Sequence, residues 1–216
     1  MFAGCLEESF WERVLVDCPV TLYYITTMAR PKSEDKRNAI MAAATRVIVK
    51  HGLSAPTAMI AQEAGVSNGS LFTYFKTKAD LFNELYLELK ASTAEAADLA
   101  SLPARAELRE QMFHIWSNWM TWSISNLEKR RALAQLHVSE EITPATRAAA
   151  HQTMAGIADL LERVRANGPL SNVPMSFVVA ILNSLADATI DYMIHDPARA
   201  KKHCKVGFDA LWRVIA

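Results

Sequence analysis

Six histidines, three cysteines and 23 carboxylates are enough to build a catalytic or metal site, so their spacing decides whether one exists. His51, His114, His137, His151, His195 and His203 form no HExxH pair and fall at no metal-ligand interval, and no GxSxG elbow or phosphate loop accompanies them. His203 and Cys204 are adjacent, which on a helix points them in different directions. Cys5, Cys18 and Cys204 are odd in number and lack a CxxC, so neither a disulfide framework nor a zinc site is suggested and a reducing cytoplasm fits. No metal, cofactor or catalytic centre emerges, and the chain does not read as an enzyme.

A different chemistry is written in residues 65–78, GVSNGSLFTYFKTK, where small polar residues and three aromatics interrupt helix-forming sequence. A recognition helix meets the DNA major groove with its N-terminal residues, and bulk there would hold the backbone away from the duplex. Ser67, Asn68, Gly69 and Ser70 permit that approach, their N–H groups can face phosphates, and Asn68 is long enough for a bidentate contact with a base edge. A purely structural reading stands beside this one: Ser67 and Thr57 are plausible N-caps, and Tyr74 can be a half-buried packing residue. What favours DNA is the cluster, because these residues share one 22-residue window at helix-turn-helix spacing.

The elements that would position them are helices. With 51% apolar and 21% charged residues in 216, the chain can bury a core, and seven Gly with eight Pro are few for an all-β fold. An all-α protein is expected. Its net charge is zero, but residues 28–90 carry nine basic and six acidic side chains, while 1–27 carry one and four. That excess suits a phosphate-facing surface or a solvated helical face.

Met28 begins a short basic arm, so residues 1–27 read as an extension outside the common fold, with translation starting at Met28; the alternative is an extra helix around 7–16. Ser33 is placed to cap a first helix ending at His51-Gly52. Thr57 is placed to cap a second helix over 58–64 and Ser67 a third over 68–75, with Gly65 between them. Thr77-Lys78-Ala79-Asp80 has the form of a capping box opening a long fourth helix. Body helices are expected over 104–125, 128–140, 143–166, 174–195 and 197–214, with Pro103, Thr143-Pro144, Gly168-Pro169 and Asp196-Pro197 as punctuation. The division is thus extension 1–27, DNA-binding head 28–76, and ligand-binding and dimerisation body 77–216. No apolar run reaches the length of a membrane span without charges interrupting it, and no membrane partner is expected.

KRNAIMAAATRVIVKHG followed by IAQEAGVSNGSLFTYFKTKADLFNELY, within residues 36–90, resembles the TetR family of bacterial transcription regulators. MARPKSEDK, DPARA and the C-terminal GF-x-A-x-WR are similar to the RamR-like subgroup, which represses genes linked to multidrug efflux. The resemblance implies a helix-turn-helix head on a helical body, a homodimer, a palindromic double-stranded operator and release by a small hydrophobic or cationic inducer. It also implies that Thr57, Ser70, Thr73, Tyr74 and Lys78 touch DNA, Tyr74 and Lys78 chiefly on phosphates. Phe72 stands where many relatives carry a tyrosine, while Leu71 and Phe75 are core pins.

In the family the last two helices form a four-helix bundle across the dimer axis, and here Ala180, Ser184 and Ala188 make a small-residue stripe, joined on the last helix by Phe208, Leu211 and Trp212. Ligand candidates are Tyr86, Met112, Ile115, Trp116, Trp119, Leu182 and Asn183, although core packing explains any one of these aromatics equally. Asp187 either faces a cationic ligand or pairs with an arginine. The competing function is an all-helical adaptor that binds only protein.

Overall fold

The computed structural model describes residues 33–102 and 106–216; the 1–27 extension, its alternative helix, the basic arm and Pro103 lie outside them. Among the described residues there is no strand, and ten α-helices follow one another: α1 Glu34–His51, α2 Thr57–Glu63, α3 Asn68–Tyr74, α4 Lys78–Ala97, α5 Leu108–Ser125, α6 Leu127–His137, α7 Pro144–Thr153, α8 Ala155–Arg165, α9 Met175–His195 and α10 Ala200–Ile215. Single 3-10 turns, Leu99–Ser101 and Pro197–Arg199, precede α5 and α10. The all-α reading holds.

Local chemistry explains most boundaries. Glu34 and Asp35 lie in the first turn of α1 and Lys50 and His51 in its last, which complements the helix dipole. Gly52 then ends the helix at φ 78°, a conformation open to glycine. Thr77 and Asp80 form the expected capping box, each side chain accepting the other's N–H at 3.0 Å. Thr143 accepts the Thr146 N–H at 3.1 Å, with Pro144 at the first helical position.

Four expectations need correction. Ser33 occupies the N-cap of α1 without a side-chain capping bond; its N–H is donated to the Tyr74 hydroxyl instead, at 3.1 Å. Pro56, extended at φ −69° and ψ 147°, is the N-cap of α2, so Thr57 is the first helical residue. The helix expected over 143–166 divides at Met154, where Leu99 crowds the following Gly156: a Cβ there would meet Leu99 Cδ1 at 3.0 Å. The last helix starts at Ala200, because the Asp196 carboxylate accepts from His203 Nε2 and Arg199 Nε, both at 3.1 Å, instead of capping.

Two hydrophobic clusters fill the molecule. The first joins α1, α2 and α3 to α4 and continues into the body through Ala132, Leu136, Ile142 and Ala150. The second packs α5, α8, α9 and α10 around Trp116, Met120, Ile190 and Phe208. Helix α4 serves both: Leu81, Phe82, Leu85, Tyr86 and Leu89 enter the first and Ala97 the second. Polar ties reinforce the seam. Arg37 of α1 reaches Glu84 at 2.8 Å and Glu88 at 3.6 Å on α4. Asn83 donates to the Glu141 carbonyl at 2.8 Å and accepts the Thr143 N–H at 3.0 Å. Arg165 donates to three carbonyls, Leu170, Ser171 and Val173, and so shapes the α8–α9 connection.

Helix α9 is long and apolar enough, by length and composition, to cross a membrane, which the reading of uninterrupted runs did not anticipate. Only Asp187 and Asp191 charge it, and Arg130 of α6 meets them at 2.8 and 3.4 Å, so both carboxylates are engaged by α6. On its other side α9 packs against α10 closely enough that a Cβ on Gly207 would strike the Thr189 side chain. Gly207→Ala is therefore expected to cost about 1–3 kcal/mol. Thermal denaturation should show a Tm lower by roughly 2–4 °C for each kcal/mol, and Thr189→Ala in the same chain should restore part of the loss.

Candidate nucleic-acid interface

The turn between α2 and α3 is made by Gly65, at φ 67°, and closed by the Val66 N–H donating to the Ala61 carbonyl at 2.9 Å. Ser67 then caps α3, its hydroxyl accepting the Ser70 N–H at 3.1 Å. Leu71 and Phe75 are fully buried beneath the helix and pin it to α1 and α4, as expected. With that side anchored, the opposite face is left in solvent. Ser67, Asn68, Gly69, Phe72 and Thr73 are all exposed, and Asn68, Gly69, Phe72 and Thr73 share one face at helical spacing.

Gly69 is the informative member. Its φ is not positive, and no atom lies within 4 Å of where a Cβ would stand, so the fold itself has no need of glycine there. As the second residue of α3, glycine still loses more backbone freedom on folding than alanine would, up to about 1 kcal/mol, a cost that packing does not explain here. Thr73 turns its hydroxyl back to the Gly69 carbonyl at 3.2 Å. Phe72, 41% exposed, stands between them on the same surface.

The flanking residues hold the helix in place. Tyr74 is half-buried, and its hydroxyl accepts the Ser33 N–H, which ties the end of α3 to the start of α1 and supports the packing reading of this residue. The Lys78 ammonium lies 5.3 Å from the centre of the Phe82 ring, at the start of α4. Thr57 is half-buried at the first position of α2. Two contributions went unnoticed in the sequence: the Ser33 N–H as the partner of Tyr74, and Arg37, whose guanidinium lies 5.9 Å from the Phe75 ring while pairing with α4.

The body residues are placed less uniformly. Ala180, Ser184 and Ala188 are exposed along α9, Ser184 bonding its own helix at the Ala180 carbonyl, and Phe177, Tyr192 and Val206 add exposed apolar surface. Phe208 and Leu211, by contrast, are 2% and 0% exposed within one chain, because the amphipathic α10 turns them into the second core. They are corrected from contact surface to core. Trp212 is half-buried beneath the Arg109 guanidinium at 5.9 Å. Met112, Ile115 and Trp116 are buried in the second core, with Trp119 and Leu182 packed against it, and Trp116 donates to the Cys204 carbonyl at 3.0 Å. Tyr86 belongs to the first core and Asn183 is exposed, so these two stand apart from the other five.

Comparison with known proteins gives this geometry its context. Residues 40–85 match the model of bacterial regulatory proteins of the tetR family. The uncharacterised HTH-type transcriptional regulator YhgD of Bacillus subtilis is 33% identical over 87 residues, 38% of this chain and 46% of that protein. The HTH-type transcriptional regulator AcrR of Shigella flexneri is 30% identical over 113 residues, 50% of each. The chain thus spans about half the length of the curated relatives it matches. A solved TetR family transcription regulator from Shewanella sp. PV-4 is 28% identical and shares the fold with a TM-score of 0.72, over 82% of this chain and 96% of that one. Residues 40–85 are thus similar to the bacterial regulatory proteins of the tetR family, and the chain shares the fold of a solved TetR family transcription regulator.

Proposed function

We propose that the protein is a dimeric, ligand-responsive regulator that binds a palindromic DNA operator through α3. The observation that carries this is the exposed face of Asn68, Gly69, Phe72 and Thr73, rigidly backed by Leu71 and Phe75 and containing a glycine with no structural duty. Asn68 reads a base edge, Gly69 lets the backbone approach, and Phe72 and the Thr73 methyl offer apolar contact to thymine methyl groups. Ser67, Ser70, Thr57 and Lys78 hold phosphates, with Tyr74 beside them. The family is one of non-enzymatic regulators, in keeping with a sequence that shows no catalytic constellation.

Dimerisation is supported by the exposed Ala180, Ser184 and Ala188 stripe, where small side chains let a second copy of α9 pack closely, and by the apolar Tyr192 and Val206 beside it. The finer reading is a cytoplasmic repressor of multidrug-efflux genes, released by an amphipathic or cationic molecule; its support is the RamR-like DPARA and GF-x-A-x-WR stretches. A ligand site in the second core is supported by Trp116, Trp119 and Met112, and by the Ser123 hydroxyl on the same helix, which is buried without a hydrogen-bond partner among the described residues. Such a ligand releases DNA only if it binds better when the two heads are wrongly spaced for the operator.

A mobility-shift titration on the DNA upstream of the protein's own gene tests the central reading, with affinity expected to fall steeply as salt rises. No shift at low salt would favour the protein-binding adaptor. Gly69→Ala should raise Tm by about 2–4 °C, since the helix gains up to about 1 kcal/mol. The same change should weaken operator binding about tenfold or more; unchanged affinity would remove Gly69 from the interface. Ala188→Glu should leave helicity intact by circular dichroism and yield a monomer by light scattering, with the palindrome bound far more weakly.

A further inference from the structure

Among the described residues, ion pairs take up some of the arginines and none of the lysines. Arg37, Arg46, Arg109, Arg130, Arg165 and Arg199 each meet a carboxylate within 4.0 Å. Of the side chains without such a partner, Lys90 and Arg147 are only partly exposed and lie at the seam of α4, α6 and α7. Lys90 of α4 extends its ammonium over the Tyr86 ring, 5.7 Å from its centre. The Tyr86 hydroxyl lies 3.2 Å from His137 Nδ1 at the end of α6, and the two rings stack at 15°. Arg147 of α7 donates one guanidinium nitrogen to the His137 carbonyl and the other to the Ser139 carbonyl, both at 2.8 Å, which fixes its position without cancelling its charge. His151 follows one turn later on α7. None of these four basic side chains forms an ion pair among the described residues.

Burial acts on three members of this group. Burial holds the Lys90 ammonium below the ordinary lysine range. Burial, then the charges of Lys90, Arg147 and His151, lowers His137. The Tyr86 hydroxyl is raised by burial against an opposing pull from Arg147. A desolvated ammonium with no counter-charge is costly. An anion placed beside it removes that cost, and a planar oxyanion can take donors from an ammonium, an imidazole and a phenol together.

We propose that Lys90, His137, Arg147 and His151, with Tyr86 as their common wall, form a binding site for a small organic oxyanion, a carboxylate or phosphate monoester. The site is distinct from the second core, to which Trp116 and Trp119 belong, and it does not depend on the DNA-binding reading. Its occupant would join α4 to α7 at the level of Lys90, on the helix whose first turn supports α3. If the operator reading holds, that contact biases the spacing of the heads.

Calorimetric titration of the full chain with benzoate, phenyl phosphate and neutral benzamide tests the proposal without any DNA. Saturable binding of one or both anions, with none for benzamide, is expected; the tighter anion identifies the acid group. Lys90→Met should weaken anion binding by at least roughly tenfold, since it removes a charged partner from a partly desolvated pair. Its Tm should be equal or higher, because a long apolar side chain replaces a desolvated charge. His151→Gln, on an exposed position, should weaken binding several-fold with native stability, and Lys50→Met on α1 should change nothing. Failure of both anions to bind, equal binding of benzamide, or full affinity in Lys90→Met or His151→Gln would overturn the site.

Discussion

Burial of one face of α4 is the contact on which the rest of the structure depends. Leu81, Phe82, Leu85, Tyr86 and Leu89 are each at most 2% exposed, and every one packs into the cluster that also holds α1, α2 and α3. Side chains of this size contribute about 1.5–3 kcal/mol each when buried, an upper range because an unfolded chain already hides some of that surface. Ala132, Leu136, Ile142 and Ala150 close the same cluster from α6, the α6–α7 loop and α7. The head therefore has no core separate from the body: α1 rests partly on α6, and α3 is held by residues that rest on α4. Arg37, paired with Glu84 and Glu88, adds a polar clamp across that boundary.

This anchoring is what allows α3 to carry so little of its own stability. It has seven residues, too few for an isolated helix, and includes a glycine, two serine or threonine hydroxyls and an exposed phenylalanine. Ser67 at one end, Tyr74 bonded to Ser33 at the other, and Leu71 with Phe75 beneath supply what its sequence lacks. Each buried position frees the opposite one from packing. Asn68, Gly69, Phe72 and Thr73 can then be chosen for what they meet outside the protein, and Phe72 becomes intelligible as part of that face instead of a failed hydrogen-bond donor.

What was legible in the sequence was mainly what is local. The Thr77–Asp80 capping box, the Ser67 cap and the two core pins lie within one helical turn of their partners, so residue type and spacing suffice. Boundaries set by distant contacts were not legible. Met154 sits among helix formers, and the division there coincides with Leu99 pressing on Gly156 from another element. Phe208 and Leu211 show a different limit: periodicity tells which face of α10 is apolar but not whether its partner is the same chain or a second copy. The same limit separates Tyr86 from Trp116, two aromatics of one expected pocket that lie in different cores. The seam of Lys90 with His137 was invisible because its members come from three helices up to 61 residues apart.

If the protein works as proposed, the way α4 is held lets a small contact in the body matter at the DNA. Its N-terminal turn is closed by the Thr77–Asp80 box under α3, and its C-terminal end leaves the helix through Asp98 at φ 50°, whose carbonyl lies 3.2 Å from His114 Nε2. Trp122 touches its flank through Ser92 at 3.2 Å, and Lys90 lies over the Tyr86 ring, whose hydroxyl meets His137 of α6. A helix of this length is about 30 Å long and stiff, so a tilt of about 4° moves one end by about 2 Å. Half-sites one turn apart are read about 34 Å from each other. A dimer would apply such a displacement at both heads, in symmetry-related directions, and well-placed base contacts do not survive an ångström-scale mismatch. The demand on a ligand is correspondingly small: it need only favour one tilt of α4 over another by a few kcal/mol, through differential contact with a helix that cannot move without carrying α3 along.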